Sequence, residues 1–357
     1  AFLERDTDGV YHLPMVKPVE SQRGPEGSPF VRDMLLDVAA LRQLLTAAID
    51  ASTLLNVDAD LRATWQDQLA HLAPLPMDEA TGLFVAYPGA SPDLPNDHPV
   101  LLGPVYPSGL ALSATENQAA GRALDHILRT TKRGMAGFPF TQIVAWGDDL
   151  SYAWLTIAAA RLGHRELVLP YLYDLMILLQ LKKNGLFASR PSNVGTRDEK
   201  VSLINTSGGF LQALTEMLLQ SYDGVIRIFP ATPADWTGAF AGLQAVGHVT
   251  VDAAQVDGKL RYARLTAGRD GVFTVRNDWG AVRLVMADGS VRLTDAAELR
   301  LNVTAGTAVL ITPAEGSSAE CSLSPGDEPR TTPRAWTGPR YLETLPPEQR
   351  WSITIGQ

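Results

Sequence analysis

The sequence predicts a helical domain followed by an all-β domain. Before residue 224, six segments place apolar residues at helical spacing with no strand pattern between them, which favours an all-α toroid or solenoid over an alternating β–α fold. After Asp223-Gly224 the apolar residues alternate along short segments, which indicates a β-sandwich. With 357 residues, the chain is long enough to bury two hydrophobic cores.

The helical segments are identified by apolar residues that recur every three or four positions. The first, at residues 30–52, places Val38, Leu41 and Leu45 on one face and Arg42 off that face. Further helices are predicted at residues 59–72, 111–131, 145–162, 166–181 and 210–221. Residues 74–109 contain eight prolines, which predicts a long irregular loop of the kind that often carries function.

The strands are identified by alternating or β-branched residues between turn dipeptides. Asp257-Gly258, Asp270-Gly271 and Asp288-Gly289 are typical of turns between antiparallel strands. Strands are predicted at residues 225–229, 249–251, 259–265, 272–276, 282–285, 299–303 and 308–311.

These patterns together predict three regions. We expect the helical portion at residues 1–228, the β-sandwich at residues 229–314 and an extended tail at residues 315–357. The sandwich should be antiparallel and should pack on the last helix through Leu214, Met217 and Leu218.

Composition argues against several classes of partner. The formal net charge is −9 and the 30 Lys and Arg residues form no basic run, so nucleic acid and anionic membranes are poor partners. No uninterrupted apolar run reaches the roughly 18 residues of a membrane span. The single cysteine, Cys321, cannot form an intrachain disulfide and assigns no compartment. We expect a secreted or periplasmic bacterial protein, with the cytoplasm as the alternative.

A resemblance to a known family lies at the junction of the two predicted domains. The segment Asn205-Thr-Ser-Gly-Gly-Phe-Leu-Gln-Ala-Leu-Thr-Glu-Met-Leu-Leu-Gln-Ser-Tyr-Asp-Gly-Val-Ile-Arg-Ile-Phe-Pro-Ala-Thr-Pro233 closely resembles the signature of the α-L-fucosidases of glycoside hydrolase family 95. Weaker landmarks follow the family's order, namely Gly9-Val-Tyr-His12 before Glu20, His98-Pro99 before Val105-Tyr-Pro107, and Trp146 before Ser151-Tyr-Ala-Trp154 and Ala160-Arg-Leu-Gly163.

The resemblance implies half of an (α/α)6 barrel. In the family the barrel has twelve helices and follows a β-domain, whereas six helices are predicted here. The first residues, Ala1-Phe-Leu-Glu-Arg-Asp6, are neither a Met start nor a signal peptide, so we expect a piece of a longer polypeptide. The missing N-terminal half of the same enzyme, or a second copy of this chain, should then cover the apolar face of an open half-toroid.

The resemblance also implies an inverting glycoside hydrolase that removes terminal α-L-fucosyl or related α-L-galactosyl residues from oligosaccharides or polysaccharides by acid–base catalysis. Glu20 aligns with the family's catalytic acid in Ser-Pro-Glu, although Lys17-Pro-Val19 replaces Ser-Pro here. Glu26 is a rival for the same role. Either carboxylate could instead be a solvated loop residue. No cofactor is implied.

The family's catalytic Asp falls at Asn205 in this sequence. Because an amide cannot act as a base, another carboxylate must replace it, the chemistry must differ, or the protein binds sugars without cleaving them. Asp148 and Asp149 are one candidate pair, with helix capping as the alternative interpretation. Asp198 and Glu199 are the other pair, with an ordinary charged loop as the alternative.

Sugar sites use aromatic rings and polar groups at loop tips. The candidates of this kind are His98, Tyr106, Trp146, Tyr152 and Arg190, with core packing as the alternative for Trp146 and Tyr152. His98, Tyr106 and Arg190 could equally serve a polysaccharide lyase, and a non-catalytic carbohydrate-binding relic is the third possibility. The remaining histidines lack metal-ligand spacing, so no metal site is predicted. In a hydrolase, the segments carrying Glu20, His98, Trp146 and Asn205 must converge.

Overall fold

The computed structural model describes residues 3–17, 30–94, 98–129, 131–133, 139–141, 151–177 and 204–315. Its helices are α1 (Leu35–Leu55), α2 (Ala59–Ala70), α3 (Ala114–Arg129), α4 (Ser151–Arg161), α5 (Arg165–Pro170), which continues as a π-helical segment (Tyr171–Ile177), and α6 (Ile204–Leu218). Its strands are β1 (Glu4–Arg5), β2 (Tyr11–His12), β3 (Thr131–Arg133), β4 (Pro139–Thr141), β5 (Leu219–Gln220), β6 (Val225–Ile228), β7 (Gly238–Ala245), β8 (Val249–Val256), β9 (Lys259–Ala267), β10 (Gly271–Arg276), β11 (Val282–Val285), β12 (Val291–Thr294), β13 (Glu298–Val303) and β14 (Ala308–Pro313).

The described residues are mainly helical before residue 219 and rich in β-sheet after it, as the sequence predicts. The closed twelve-helix barrel stays a prediction. The extended tail predicted beyond residue 315 lies outside the described residues.

Helix α1 begins five residues later than predicted because the chain turns sharply at Asp33. The backbone of Asp33 has a left-handed φ of 53°. Its buried carboxylate accepts hydrogen bonds from the N–H of Leu13 at 2.8 Å and from the ring of His12 at 2.6 Å. These bonds tie Asp33 to the strand β2 segment, so the helix starts only after it.

Helices α1 and α2 form a hairpin that Arg62 closes. The backbone of Asn56 ends α1 in a left-handed conformation with φ 53°. The guanidinium of Arg62 donates to the hydroxyl and carbonyl oxygens of Ser52, both at 2.8 Å, and to the carbonyl oxygen of Val57 at 3.2 Å. These bonds, together with the N–H of Val57 that donates to the same carbonyl oxygen of Ser52 at 3.0 Å, join the end of α1 to α2.

Helix α1 also meets the length and composition criterion for a membrane span, with a mean hydropathy of 1.3. The criterion allows a few charged residues within the helix. It can therefore be met although the sequence has no uninterrupted apolar run of roughly 18 residues. Val38, Leu41 and Leu45 on α1 are buried in the helical core, and 28% of the candidate span is buried in all.

The proline-rich segment at residues 74–109 is irregular, as predicted, but much of it is buried. Phe84 and Leu102 are fully buried in the helical core. The carbonyl oxygen of Ala86 accepts the N–H of Leu35 at 2.9 Å, which joins this segment to the start of α1. The segment therefore holds His98 and Tyr106 against the helices rather than projecting freely into solvent.

The C-terminal domain is a sandwich of two sheets with one shared core. The larger sheet has the order β12-β11-β14-β9-β8-β7, and the smaller has the order β13-β10-β6-β5. Val251 and Ile311 from the larger sheet and Ile226 and Leu299 from the smaller one lie in the same buried cluster. The strand pairings that the structure describes within residues 235–314 are antiparallel, as predicted, and strand β6, which precedes that range, adds a parallel pairing with β10.

Helix α6 passes directly into the sandwich. Strand β5 starts at Leu219, before the predicted start of the sandwich at residue 229. The N–H of Phe229 donates to the carbonyl oxygen of Leu218 at 2.7 Å. Of the residues predicted at this interface, Leu218 packs against both cores, whereas Leu214 and Met217 pack into the helical core.

Candidate functional site

Helix α4 presents one stripe of side chains to the proline-rich segment. Ser151, Trp154 and Arg161 lie on the same face because they are three and seven residues apart. The hydroxyl of Ser151 is 2.9 Å from Nδ1 of His98, a hydrogen bond whose direction depends on the tautomer. The ring of His98 stacks on Trp154 with 6.2 Å between centroids and 23° between planes. The sequence-predicted His98 is thereby fixed at the start of α4.

Tyr106 lies further along the same stripe. Its ring meets Trp154 edge-on, at 6.4 Å between centroids, and the guanidinium carbon of Arg161 is 5.4 Å from the ring centroid. Burial raises the pKa of Tyr106, although the nearby Arg161 acts in the opposite direction. Tyr106 therefore stays a neutral phenol at neutral pH.

An ion pair joins the C-terminal ends of α4 and α6. Nε and Nη2 of Arg161 donate to the two carboxylate oxygens of Glu216 at 3.1 and 2.6 Å. Both side chains are nearly buried, with 11% of Arg161 and 6% of Glu216 exposed. Two parallel charge-assisted bonds of this kind fix distance and orientation together.

The ion pair shows that α4 and α6 run in the same direction. The two helices pack along each other, and Arg161 and Glu216 both lie in their last turns. Ser151 is ten residues before Arg161, and Thr206 is ten residues before Glu216. At 1.5 Å per residue, each lies about 15 Å from the pair, so Ser151 and Thr206 occupy the same end. His98 and Asn205 therefore belong to one end of this helix pair.

Asn205 is exposed in the first turn of α6. Its side-chain oxygen accepts the N–H of Thr206 at 3.0 Å. The helix begins earlier than the predicted residue 210, so Gly208 and Gly209 lie within it. The N-terminal end of α6 favours negative charge and hydrogen-bond acceptors.

Buried polar atoms accompany this end of the helix pair. The hydroxyl of Thr206 and Nε1 of Trp154 have no hydrogen-bond partner among the residues that the structure describes. Tyr152, a predicted sugar-binding residue, is buried in the helical core with 5% of its surface exposed. Its carbonyl oxygen accepts the hydroxyl of Thr156 at 2.7 Å.

Several sequence-predicted residues lie outside the described residues. These are Glu20, Glu26, Trp146, Asp148, Asp149, Arg190, Asp198 and Glu199. Val16 and Val31, which flank the first two of these residues in the sequence, exchange two backbone hydrogen bonds of 2.8 Å. Asp149 stands two residues before Ser151 in the sequence, and Asp198 stands seven before Asn205.

A second cluster of titratable groups lies beside the Val16–Val31 bridge. His12 bonds to Asp33 through Nδ1 at 2.6 Å and to Asp6 through Nε2 at 3.1 Å. The hydrogen bond to Asp33 is the main reason that the pKa of His12 is raised. Among the described residues, no group of three or more His, Cys, Asp or Glu side chains has the arrangement of a metal site.

Arg161 and Glu216 lie within the motifs that resemble the family, but the sequence does not mark either of them as a site residue. Each is the sole charged residue of its helix, α4 and α6 respectively. Single opposite charges on two otherwise uncharged neighbouring helices are the signal that could have identified the pair, because a buried charge needs a partner.

Comparison with protein families gives one match. Residues 220–311, from β5 to β14, match the model of the glycoside hydrolase family 95 C-terminal domain. The resemblance to glycoside hydrolase family 95 is confirmed. The matched stretch is similar to the C-terminal domain of a family of glycoside hydrolases, and it follows directly after α6, which starts at Ile204.

Similarity to solved structures is distant. A protein assigned as a kojibiose phosphorylase from human microbiome shares 8% identity over 85% of this chain and 44% of its own length, with a TM-score of 0.43. A GH127 beta-L-arabinofuranosidase from Geobacillus stearothermophilus T6 shares 14% identity over 60% of this chain and 40% of its own length, with a TM-score of 0.26. The chain thus spans less than half of either protein. No curated protein sequence matches it.

Proposed function

We propose that this chain is part of a glycoside hydrolase that removes terminal α-L-fucosyl or related α-L-galactosyl residues from glycans, with inversion at the anomeric carbon. The observation that carries the proposal is the family 95 C-terminal domain at residues 220–311. The connection of that domain to α6 supports it further. That helix brings Asn205 to the same end as Ser151 and its partner His98.

Inverting hydrolysis needs a carboxylic acid that protonates the leaving oxygen and a carboxylate that activates water on the opposite face. We assign the acid to Glu20, with Glu26 as the rival. The amide of Asn205 cannot accept the proton from water, but it can orient water or bind a sugar hydroxyl. Among the carboxylates, Asp149 is the preferred base because it precedes the α4 end at Ser151 by only two residues.

His98 and Tyr106 support a sugar-binding role because both are held by contacts rather than left free. The ring of His98 is fixed by Ser151 and Trp154, and that of Tyr106 by Trp154 and Arg161. Rigid rings and fixed polar groups suit the C–H faces and hydroxyls of a sugar. Trp146 and Arg190 remain proposed substrate-binding residues, whereas the burial of Tyr152 in the helical core favours the alternative of core packing.

The proposed substrate is an oligosaccharide or polysaccharide, encountered in a secreted or periplasmic setting. The test is hydrolysis of fucosylated and α-L-galactosylated oligosaccharides by the polypeptide that carries this chain, with the anomer of the released sugar followed by proton NMR. The proposal predicts release of the monosaccharide with inverted configuration. Release of an unsaturated uronate from an acidic polysaccharide, or binding of sugars without cleavage, would instead favour a lyase or a binding protein.

A further inference from the structure

Arg161 contacts three separate parts of the molecule. Beyond its two bonds to Glu216 on α6, its Nη1 donates to the carbonyl oxygen of Val105 in the proline-rich segment at 2.8 Å. Its guanidinium carbon lies 4.7 Å from the ring centroid of Tyr222, on the turn between β5 and β6. A planar guanidinium can make all these contacts together, whereas a lysine ammonium cannot.

Glu216 is held as firmly as its partner. Nε2 of Gln212, one turn earlier on α6, donates to its carboxylate at 3.0 Å. The side chain of Gln220 on β5 donates to the carbonyl oxygen of Glu216, also at 3.0 Å. Because the pair is nearly buried, water cannot substitute for a displaced partner, so the geometry of the pair is narrowly defined.

The β-sandwich completes this arrangement through Tyr222. The ring of Tyr222 has Arg161 at 4.7 Å and Arg227 at 4.6 Å from its centroid, and its hydroxyl donates to the carbonyl oxygen of Arg161 at 3.3 Å. Arg227 is fixed in turn by two bonds of 2.9 Å to Asp223. The first turn of the sandwich thus supports the end of α4 directly.

We infer that Arg161 and Glu216 are positioning residues for the candidate site. The pair sets α4 against α6 and holds the proline-rich segment at Val105, so it determines where His98, Ser151 and Asn205 stand relative to one another. Its effect is indirect, because each helix carries the change about 15 Å to its N-terminal end. The expected loss of turnover rests on the proposed function, whereas the expected displacement of His98 does not.

The test replaces the pair by methionines, in the variant Arg161→Met/Glu216→Met of the polypeptide that carries this chain. Apolar replacement of both partners leaves no unpaired buried charge and is often neutral for stability, so the variant is expected to fold. The matched control is Arg42→Met/Glu116→Gln. That change removes a comparable Arg–Glu pair between α1 and α3 but keeps the acceptor for the N–H of Ser113.

The first readout is the NMR signal of the His98 imidazole in histidine-labelled protein, assigned with His98→Asn among the six histidines. The stack on Trp154 and the bond to Ser151 determine that signal. We expect it to shift in the double methionine variant and to stay in place in the control. The second readout is turnover of an α-L-fucoside, which should fall about 100-fold, the scale of a misplacement of about 1 Å.

A folded Arg161→Met/Glu216→Met variant with an unchanged His98 signal would overturn the inference, whatever its activity. If the double variant does not fold, Arg161→Lys decides. This variant retains the positive charge but cannot make the two parallel hydrogen bonds to Glu216. An unchanged His98 signal in a folded Arg161→Lys variant would also overturn the inference. Absence of glycosidase activity in the unmodified protein would contradict the proposed function alone, because the NMR readout does not depend on it.

Discussion

The predicted alignment with family 95 pairs a catalytic carboxylate with the exposed amide of Asn205. In this structure it lies in the first turn of α6, at the end that carries His98 and Ser151. A carboxylate at this point would be favoured by the helix dipole, so a change to Asp should be tolerated by the fold.

If the site has lost its base rather than using Asp149, Asn205→Asp should raise the rate of α-L-fucoside hydrolysis by about 100-fold or more, the usual scale for a general base. The control is Asn205→Ala, which restores no carboxylate and should give no gain. Steady-state kinetics on the same substrate measure both. Loss of an existing activity in Asn205→Asp would mean that the amide has a role of its own, such as orienting water.

His12 gives the helical region a pH-dependent contribution to stability. Its pKa is raised above the ordinary 6.5, mainly by Asp33, so the charged form is favoured in the folded state. That contribution is fully present below about pH 6.5 and is lost as the pH rises through the folded-state pKa. A hydrogen bond to a charged group of this kind contributes about 1.5 kcal/mol.

We therefore predict that His12→Gln lowers the free energy of unfolding by about 1.5 kcal/mol near pH 6 and by much less near pH 9. Urea denaturation at a series of pH values measures the difference between the two proteins. His164→Gln is the control, because His164 has an exposed contact with Glu166 at 3.2 Å. If the loss in free energy of unfolding caused by His12→Gln grew with pH, the stabilising role of the charged His12 would be contradicted.

At the residue scale, the sequence predicted His98 and Tyr106 but missed their supports. A histidine and a tyrosine beside prolines stand out because they are chemically distinctive. Arg161 and Glu216 acquire their importance only when α4 and α6 come together, and the sequence places them 55 residues apart. Tyr152 could not be placed by type alone, since a buried ring and an exposed one have the same sequence pattern.

Two Asp-Gly turns of the sandwich look alike in sequence and differ in surroundings. At Gly258, with φ 70°, an added Cβ would lie 1.7 Å from the carbonyl oxygen of Ala234. At Gly289, with φ 80°, nothing lies within 4 Å of an added Cβ. Both positions disfavour other residues through φ, but only Gly258 also meets backbone that cannot move aside easily.

We predict that Gly289→Ala costs about 1 kcal/mol, from backbone strain alone. Gly258→Ala should cost about 2 kcal/mol more, because overpacking adds to the same strain. Chemical denaturation of the two variants gives the comparison directly. Equal losses would show that the contact with Ala234 does not constrain this turn.

Strands with a strong alternating pattern were predictable from the sequence, whereas a bulged strand and a parallel strand pairing were not. Strands β8, β9 and β13 alternate clearly and were found from the sequence. Strand β7, Gly238–Ala245, was missed because it is built largely from glycine and alanine, and its register with β8 shifts at a bulge. The parallel pairing of β6 with β10 depends on a long-range contact that no local pattern reports.

Within the part of the chain that the structure describes, one face of α1 is exposed and apolar. Ala40, Leu44, Ala47, Ala51 and Leu54 recur at helical spacing on the outside of the helix. Leu44 and Leu54 are 63% and 71% exposed. Such a face fits the expectation that another polypeptide, or a second copy, covers the helical portion.

We predict that the chain by itself self-associates through this face, because a second copy is then the available partner. Leu44→Glu/Leu54→Glu should give a monomer by light scattering coupled to size-exclusion chromatography. The control is Leu293→Glu, which changes a leucine that is 64% exposed on β12 and should leave the association unchanged. A chain that is monomeric at all concentrations would contradict the prediction.

We propose that Glu20 is the acid of a glycoside hydrolase site at the end of α4 and α6 that carries His98 and Asn205. The direct measurement is the turnover of Glu20→Gln on two α-L-fucosides, one with a poor leaving group and one with an activated aryl group. Loss of a general acid should lower turnover on the first by about 100-fold or more and on the second far less, with Glu26→Gln as the control. Equal turnover of Glu20→Gln and the unmodified protein on both substrates would contradict the claim.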